Sequence, residues 1–274
     1  MSATTTVAPP PHRLSRRQRQ LLFRLSLYAL LVIGAAALII VADWGKIGRS
    51  FFNLDIASST FPLIVTRAAK NTIIYTLGSF GLGLFLGLAL ALMKLSPIAP
   101  YRWMATAYIE FFRGLPAILT LFLVGFGVPI AFGWRFPGGT IGAGIVGLGA
   151  VAGAYMAETI RAGIEAVDKG QVEAARSLGM TQSRAMVSIV LPQAFRIIIP
   201  PLTNEIVLLI KDTSLFFVIG FQVKEKDLFT FGRDIANDQF NSTPLIVAGL
   251  MYLAITLPLT RLVAQLEKRN RASK

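Results

Sequence analysis

Ionisable side chains interrupt two otherwise apolar stretches of this 274-residue sequence. Glu110 and Arg113 lie in one stretch, and Glu205, Lys211 and Asp212 lie in the other. A charged group inside a membrane span is costly, so it is usually paired or functional. Glu110 and Arg113 are three residues apart and share a helix face, which predicts either an ion pair or a gate or solute contact. Lys211 and Asp212 are predicted either as a structural or gating pair or as contacts with a solute path.

The second stretch also carries uncharged polar groups. Pro200–Pro201 precede Asn204, a pattern that predicts a helix with an abrupt start and free N–H groups that can bind an anionic group. Asn204 and its neighbour Glu205 could take part in such a site. Thr213 and Ser214 could hydrogen-bond a solute, or donate back to carbonyls of their own helix.

Cysteine and histidine usage limits the available chemistry. There are no cysteines, and the one histidine, His12, lies in a Pro- and Arg-rich tail. Disulfides and thiolate chemistry are therefore excluded, and a histidine metal site or catalytic triad is not expected. No phosphate-binding loop with the pattern Gly-x-x-x-x-Gly-Lys-Ser/Thr is present. We therefore predict no catalytic residue, no metal site and no ATP hydrolysis by this chain.

The composition is that of an integral membrane protein. Hydrophobic residues make up 54% of the chain and charged residues 15%, whereas about a quarter of the residues in a soluble domain are charged. The net charge of +13 is better explained by Lys and Arg on the cytoplasmic side of a membrane than by nucleic acid, because no basic stripe with interleaved aromatics occurs. No nucleic-acid partner is expected.

An all-α architecture with about six transmembrane helices is predicted, because a spanning helix needs about 20 mostly apolar residues. The apolar segments are 21–42, 71–93, 101–132, 139–160, 201–221 and 243–263. The first exceeds the 7–15 residues of a signal-peptide core, which favours a retained helix over a cleaved one. Residues 1–20 are predicted to be a disordered cytoplasmic tail, and residues 266–274 a second cytoplasmic tail.

Two further patterns concern orientation and packing. With the N-terminus in the cytoplasm, inside loops hold more Lys and Arg than outside loops, which places both termini and the 161–200 loop in the cytoplasm. Gly83 and Gly87 are four residues apart, as are Gly149 and Gly153. This spacing allows close helix packing, either within the chain or at a dimer interface.

A polar stretch at 171–192 separates two long apolar segments. Glu173 and Ala174–Ala175 are expected to open a short helix, which Gly179 would end in a left-handed conformation. Thr181 can cap a second helix, of about residues 182–190, that presents Met186 on its apolar side together with Ile189 and Val190. Pro192 is expected to bend the chain back toward the membrane. From spacing alone, an amphipathic helix lying on the bilayer surface is also compatible.

The order Glu-Ala-Ala, Gly and, nine residues later, Ile-Val-Leu-Pro resembles the cytoplasmic coupling loop of the membrane subunits of bacterial ATP-binding-cassette (ABC) importers. In that family the loop docks into a groove on the nucleotide-binding subunit. The resemblance implies that Glu173, Ala174, Ala175 and Gly179 are coupling positions. We also predict that Leu178 and Met186 take part in the coupling to the ATPase.

Three further stretches resemble the polar amino-acid, histidine/glutamine branch of these permeases. They are Glu-Phe-Phe-Arg-Gly-Leu-Pro at 110–116, residues 154–164 around Tyr-Met-Ala-Glu-Thr-Ile-Arg, and residues 191–215, which end in Lys-Asp-Thr-Ser-Leu. The resemblance covers about residues 66–265, with a coupling loop at about 165–196 and a type I importer fold. The helix at 21–42 and the loop of about 28 residues at 43–70 depart from the usual five-span pattern of the family.

The resemblance implies a permease subunit that imports an amino acid across the bacterial cytoplasmic membrane. The implied partners are two ATPase subunits that bind ATP and Mg, a second permease copy or paralogue, and an extracytoplasmic solute-binding protein. An amino-acid site needs donors for a carboxylate and acceptors for an ammonium, which the polar residues of the third and fifth spans could supply. Two alternatives remain: a secondary transporter or channel that uses the intramembrane charges, and a membrane scaffold or sensor that moves nothing.

Overall fold

The computed structural model describes residues 15–272, and side chains as far as Lys268. The predictions for residues 1–14, including His12, and for residues 273–274 lie outside the described residues. The chain divides into two compact units, one ending at Ser50 and the other beginning at Phe51.

The described residues form thirteen α-helices and no strand, as the all-α prediction requires. Their bounds are α1 Arg16–Val41, α2 Trp44–Phe51, α3 Leu54–Leu63, α4 Lys70–Leu95, α5 Ala99–Gly114, α6 Ala117–Phe122, α7 Val128–Phe132, α8 Gly139–Glu165, α9 Lys169–Ser177, α10 Gln182–Ala185, α11 Leu191–Asp212, α12 Leu228–Asp238 and α13 Thr243–Ala272. π-helical turns at Ile64–Ala69, Leu123–Gly127 and Met186–Val190 and a 3-10 segment at Thr213–Ile219 connect some of them.

Helical structure extends into both predicted tails. Helix α1 begins at Arg16, because the Ser15 side chain accepts from the Gln18 N–H and the Gln18 side chain accepts from the Ser15 N–H. This capping box extends the helix into the tail predicted at 1–20. At the other end, α13 continues to Ala272, through most of the tail predicted at 266–274.

The predicted loop at 43–70 is largely helical. It contains α2, α3 and the π-helical turn Ile64–Ala69 that leads directly into α4. The Asn53 side chain caps α3 by accepting from the N–H groups of Asp55 and Ile56 at 3.1 and 3.2 Å. An Asn cap satisfies N–H groups that would otherwise lack partners, which is why a helix can begin here.

Among residues 15–272, five helical runs are long and apolar enough to cross a membrane, and a bent pair of helices could supply a sixth span. The runs are Arg16–Val41, Trp44–Leu95, Gly139–Glu165, Gln182–Ile219 and Thr243–Lys268. The bent pair is the predicted third span: the chain turns by 106° between Gly114 and Ala117. Pro116 causes this break, because it disfavours helical conformation at Leu115, which is extended (φ −97°, ψ 142°).

The predicted abrupt start of the fifth span at Pro201 is wrong. Helix α11 begins at Leu191 and contains Pro200 and Pro201 in its interior. The helical run also continues past Pro192. A π-helical turn at Met186–Val190 precedes Pro192, which has no N–H to donate to a carbonyl of the preceding turn.

The centre of the second unit is the pair formed by α4 and α8, which pack along most of their length. A buried cluster around Tyr75, Leu148, Met156 and Phe216 joins this pair to α11 and the 3-10 segment after it. This packing places the residues of α8 and α11 side by side.

The amphipathic helix α12 lies between the fifth and sixth predicted apolar segments. Asp227 caps it, accepting from Phe229 N at 3.0 Å and Thr230 N at 3.2 Å. Its carboxylate is fully buried and also accepts from the Tyr252 hydroxyl at 3.2 Å. Burial raises the pKa of Asp227, and the hydrogen bonds from Thr230, Phe229 and Tyr252 oppose that rise.

Candidate functional site

The first candidate site is the elbow, defined as residues 169–185, which comprises α9, the turn after it and α10. Helix α9 starts directly after α8 because the Asp168 carboxylate accepts from Gly170 N at 2.7 Å. The predicted short helix around Glu173 is therefore present, with its start at Lys169.

The turn of the elbow has the geometry that the sequence predicts. Gly179 is left-handed, with φ of +86°, and its N–H donates to Arg176 O at 3.0 Å. The Met180 N–H donates to Ala175 O at 3.1 Å, which completes a Schellman motif. Thr181 Oγ1 then accepts from Arg184 N at 3.4 Å and caps α10.

The six predicted coupling residues divide into an exposed and a supporting group. Glu173, Ala174, Leu178 and Gly179 are exposed, and Leu178 is 86% exposed. Ala175 is 3% exposed, so of the two alanines only Ala174 is accessible to a partner.

Met186 belongs to the supporting group. It is half-buried, and together with Val172 it packs against a cluster that includes Ile160, Ile164 and Val190. The elbow therefore presents one exposed turn outward and rests on the end of α8 through its apolar side.

A cavity of about 430 Å³ lies beneath the elbow. Its charged lining residues are Glu165, Lys169, Glu173 and Arg176. Arg176 also donates to Gln182 Oε1 at 2.9 Å, which ties α9 to α10 across the turn. The elbow is thus held together by its own hydrogen bonds, and a cavity remains between it and the end of α8.

The second candidate site is a cavity of about 300 Å³ within the helical bundle. Leu115 and Ala117 from the α5–α6 break, Tyr155 from α8, and Glu205 and Asp212 from α11 contribute to its lining. Glu205 and Asp212 are seven residues apart, so they lie on one face of α11 about 10 Å apart along its axis. Sequence alone did not single out Tyr155, although the motif at 154–164 contains it.

The other residues predicted for the fifth span do not line this cavity. Asn204 and Lys211 are exposed elsewhere on α11. The hydroxyls of Thr213 and Ser214 donate to Ile210 O and Lys211 O, at 2.7 and 2.6 Å, so they bond back to their own helix. Of the two roles that the sequence left open for them, the geometry favours the local one.

The predicted Glu110–Arg113 ion pair does not form. Glu110 is exposed, and it is absent from the ion pairs of the described residues. The Arg113 guanidinium instead lies over the Tyr155 ring, 5.4 Å from its centroid. A planar cation over an aromatic face is a favourable contact, and it places Arg113 next to a residue that lines the bundle cavity.

A chain of ion pairs at the end of α8 was not predicted. Lys94 from α4 donates to Glu158, which also accepts from Arg161 at 2.8 Å. Arg161 in turn contacts Glu165 at 2.5 Å. The three-residue and four-residue spacings within α8 are visible in the sequence, but nothing in the sequence shows that Lys94 joins them from another helix.

The sequence and structure resemble those of known transport proteins. A model of the family "Binding-protein-dependent transport system inner membrane component" matches residues 82–272. The probable glutamine ABC transporter permease protein GlnM of Bacillus subtilis is 42% identical over 200 residues, which cover 72% of this chain and 87% of that protein. The arginine transport system permease protein ArtQ of the same organism is 36% identical over 223 residues, 81% of this chain and 99% of that protein.

A solved structure of an amino acid ABC transporter is also similar. It superposes with a TM-score of 0.71 at 37% sequence identity, covering 79% of this chain and 97% of that one. The inward-facing MetNI methionine transporter is 19% identical, with a TM-score of 0.63, and supports the fold alone.

Proposed function

This chain belongs to the family of inner membrane components of binding-protein-dependent transport systems, and we propose that it moves an amino acid inward through a pore that its elbow couples to ATP hydrolysis. As an importer permease subunit it is not an enzyme, since ATP is hydrolysed in a separate subunit. Its relatives are named for glutamine and arginine transport, and these names support an amino acid as its solute.

The exposed turn of the elbow is the observation on which this function depends most. Glu173, Ala174, Leu178 and Gly179 form a polar turn with one large apolar side chain, Leu178, at its tip. A single exposed apolar side chain is common on protein surfaces, so the support for a partner here is that these exposed residues match the coupling motif of the family. We assign this surface to the ATPase subunit.

The family implies ATPase and solute-binding protein partners. We propose two ATPase subunits, which bind ATP and Mg, and a second permease copy or paralogue that completes the pore. We also place both termini and the elbow in the cytoplasm, in agreement with the distribution of Lys and Arg.

We propose that the bundle cavity contacts the solute. Glu205 and Asp212 provide acceptors for an ammonium group, and among the described residues no Lys, Arg or His lines the cavity. The Arg113 guanidinium lies over the ring of Tyr155, which lines the cavity, and it is our candidate for binding the carboxylate. Alternating access then requires that this cavity opens to one side at a time.

The coupling proposal is tested with the Glu173→Arg variant. The chain is reconstituted in vesicles with its ATPase subunits and solute-binding protein, and ATP-dependent uptake is measured across a panel of amino acids. Glu173→Arg should abolish uptake while membrane insertion remains normal. Glu267→Arg, at an exposed position near the end of α13, serves as the matched control and should transport normally. Normal uptake by Glu173→Arg would refute the assignment, and uptake that needs only an ion gradient would indicate a secondary transporter.

A further inference from the structure

The ion chain at the end of α8 joins two helices through a single residue. Glu158, Arg161 and Glu165 all belong to α8, and only Lys94 comes from α4. Glu158 accepts from both Lys94 and Arg161 through its two carboxylate oxygens. Removal of the Lys94 amine would therefore leave the pairs within α8 in place and break only the link to α4.

The Lys94–Glu158 pair lies in a partly dry environment. The two side chains are 25% and 20% exposed. Ion pairs at such positions are screened by salt less than fully exposed pairs, so their attraction is less weakened by salt.

The helices on either side of this pair are already in close contact further along. A Cβ atom on Gly87 of α4 would lie 2.7 Å from Met156 Cβ of α8, and one on Gly83 would lie 2.9 Å from Ala152 Cβ. Such contacts leave little room for sliding or rotation. Lys94 lies beyond these contacts, one residue before α4 ends at Leu95.

The elbow is attached to this same end. Only residues 166–168 separate α8 from α9. Val167, from this connection, is buried in one cluster with Ala91 of α4 and with Ile160 and Ile164 of α8. A force on the elbow therefore reaches the ends of both helices, with the ion pair beside the apolar cluster.

We propose that Lys94 is a positioning residue that clamps the end of α4 to α8, so that both helices follow the elbow as one rigid lever. This inference rests on the function proposed above, because it concerns how a movement of the elbow, driven by the ATPase subunit, is transmitted to the bundle cavity. Tyr155 and Leu148 of α8 line that cavity. If the end of α4 were free to move relative to α8, part of the movement of the elbow would displace α4 alone and would not reach these residues.

The test compares Lys94→Gln with Lys94→Arg in the reconstituted complex. The readout is the coupling ratio, defined as solute molecules imported per ATP hydrolysed. Lys94→Gln should lower this ratio by about five-fold, the lower end of typical coupling between sites, while ATP hydrolysis continues. Lys94→Arg keeps the charge and should keep most of the ratio. Lys70→Gln, at the exposed first residue of the same helix, is the matched control and should match the wild type.

A covalent tether provides a second test that does not depend on the charge. The sequence contains no cysteine, so Lys94→Cys together with Glu158→Cys introduces the only two thiols. The coupling ratio of this variant should be low before treatment and should rise after a short bismaleimide joins the two thiols. A ratio that stays low after complete cross-linking would overturn the clamp, as would a Lys94→Gln variant that couples like the wild type.

These outcomes differ from a failure of the proposed function. If the chain does not import amino acids, the wild-type complex will show no solute-dependent uptake. If only the clamp is wrong, the wild type will import normally and the variants at position 94 will not change the ratio. If Lys94→Gln does not assemble, the cross-linked variant decides the question.

Discussion

A substitution at Gly179 should separate the geometry of the elbow from its chemistry. Gly179 has φ of +86°, and a Cβ atom built there would find no heavy atom within 4 Å. A side chain at this position therefore meets open space, and the cost arises from the backbone alone. For an L-residue the left-handed conformation costs about 1–2 kcal/mol.

The expected effect follows from that cost. A difference of 1–2 kcal/mol corresponds to a factor of roughly 5–30 in the population of the native turn. We expect Gly179→Val to weaken the apparent affinity of the ATPase subunit for the permease by about this factor. Gly179→Asn should have a much smaller effect, because Asn adopts the left-handed region far more readily than a β-branched residue.

The assay is a titration of detergent-solubilised permease with purified ATPase subunit, followed by fluorescence anisotropy of a labelled ATPase. Wild type, Gly179→Asn and Gly179→Val should bind in that order of decreasing affinity. Equal losses in both variants would mean that the absence of a side chain matters, and not the turn conformation. Unchanged binding in Gly179→Val would refute the view that this turn is part of the docking surface.

Four further substitutions test the packing, the cap of α12 and the bundle cavity. Gly87→Ala should lower the free energy of unfolding by about 1–3 kcal/mol in thermal unfolding, because the new methyl would press against α8. Burial raises the pKa of Asp227, so the folded state binds its proton more tightly than the unfolded state does. Wild-type stability should therefore rise as pH falls through that raised pKa toward the usual range near 4, and Asp227→Asn should lose this contribution in unfolding measured across pH. Glu205→Gln and Asp212→Asn should each raise the KM for uptake about ten-fold, the loss of a charged hydrogen-bond partner.

Each of these substitutions has a control or a contrary result. Gly81→Ala lies on α4 with open space around its Cβ and should be neutral or slightly stabilising. If Gly87→Ala is also neutral or stabilising, the close contact between α4 and α8 at Gly87 is wrong. An identical pH profile in wild type and Asp227→Asn would show that the carboxyl does not titrate differently on folding. Asp238→Asn, an exposed carboxylate on α12, should leave KM unchanged.

The sequence predicted the elbow well because its signals are local. A left-handed Gly after a short helix and a Thr cap for the next one depend only on neighbouring residues. Met186 was assigned to the contact surface from an amphipathic pattern. Such a pattern shows which residues share a helix face, but not whether that face packs against the rest of the protein or is exposed. Its half-buried position follows from the cluster at the end of α8.

The spans were predicted less well wherever proline was involved. Pro116 breaks the third apolar segment into two helices, whereas Pro200 and Pro201 lie inside a continuous one. The same residue type thus ends one helix and continues another. The outcome depends on the tertiary packing that surrounds each proline, which is not visible in a single sequence.

Pairings between distant residues could not be predicted. Arg113 contacts Tyr155 instead of its neighbour Glu110, and Lys94 contacts Glu158 across 64 positions. These contacts depend on how α4, α5 and α8 pack, and no spacing rule within one helix describes them. The bundle cavity depends on tertiary packing in the same way, since its lining comes from α8, α11 and the α5–α6 break.

Site-directed labelling at Leu178 tests whether the elbow is the binding site of the ATPase subunit. Leu178→Cys introduces the only thiol of the chain, at a side chain that is 86% exposed. A membrane-impermeant maleimide should label it only from the side on which the ATPase is added, and bound ATPase subunit should protect it. Labelling from the opposite side, or full labelling with the ATPase bound, would contradict the claim that the elbow is cytoplasmic and binds the ATPase subunit.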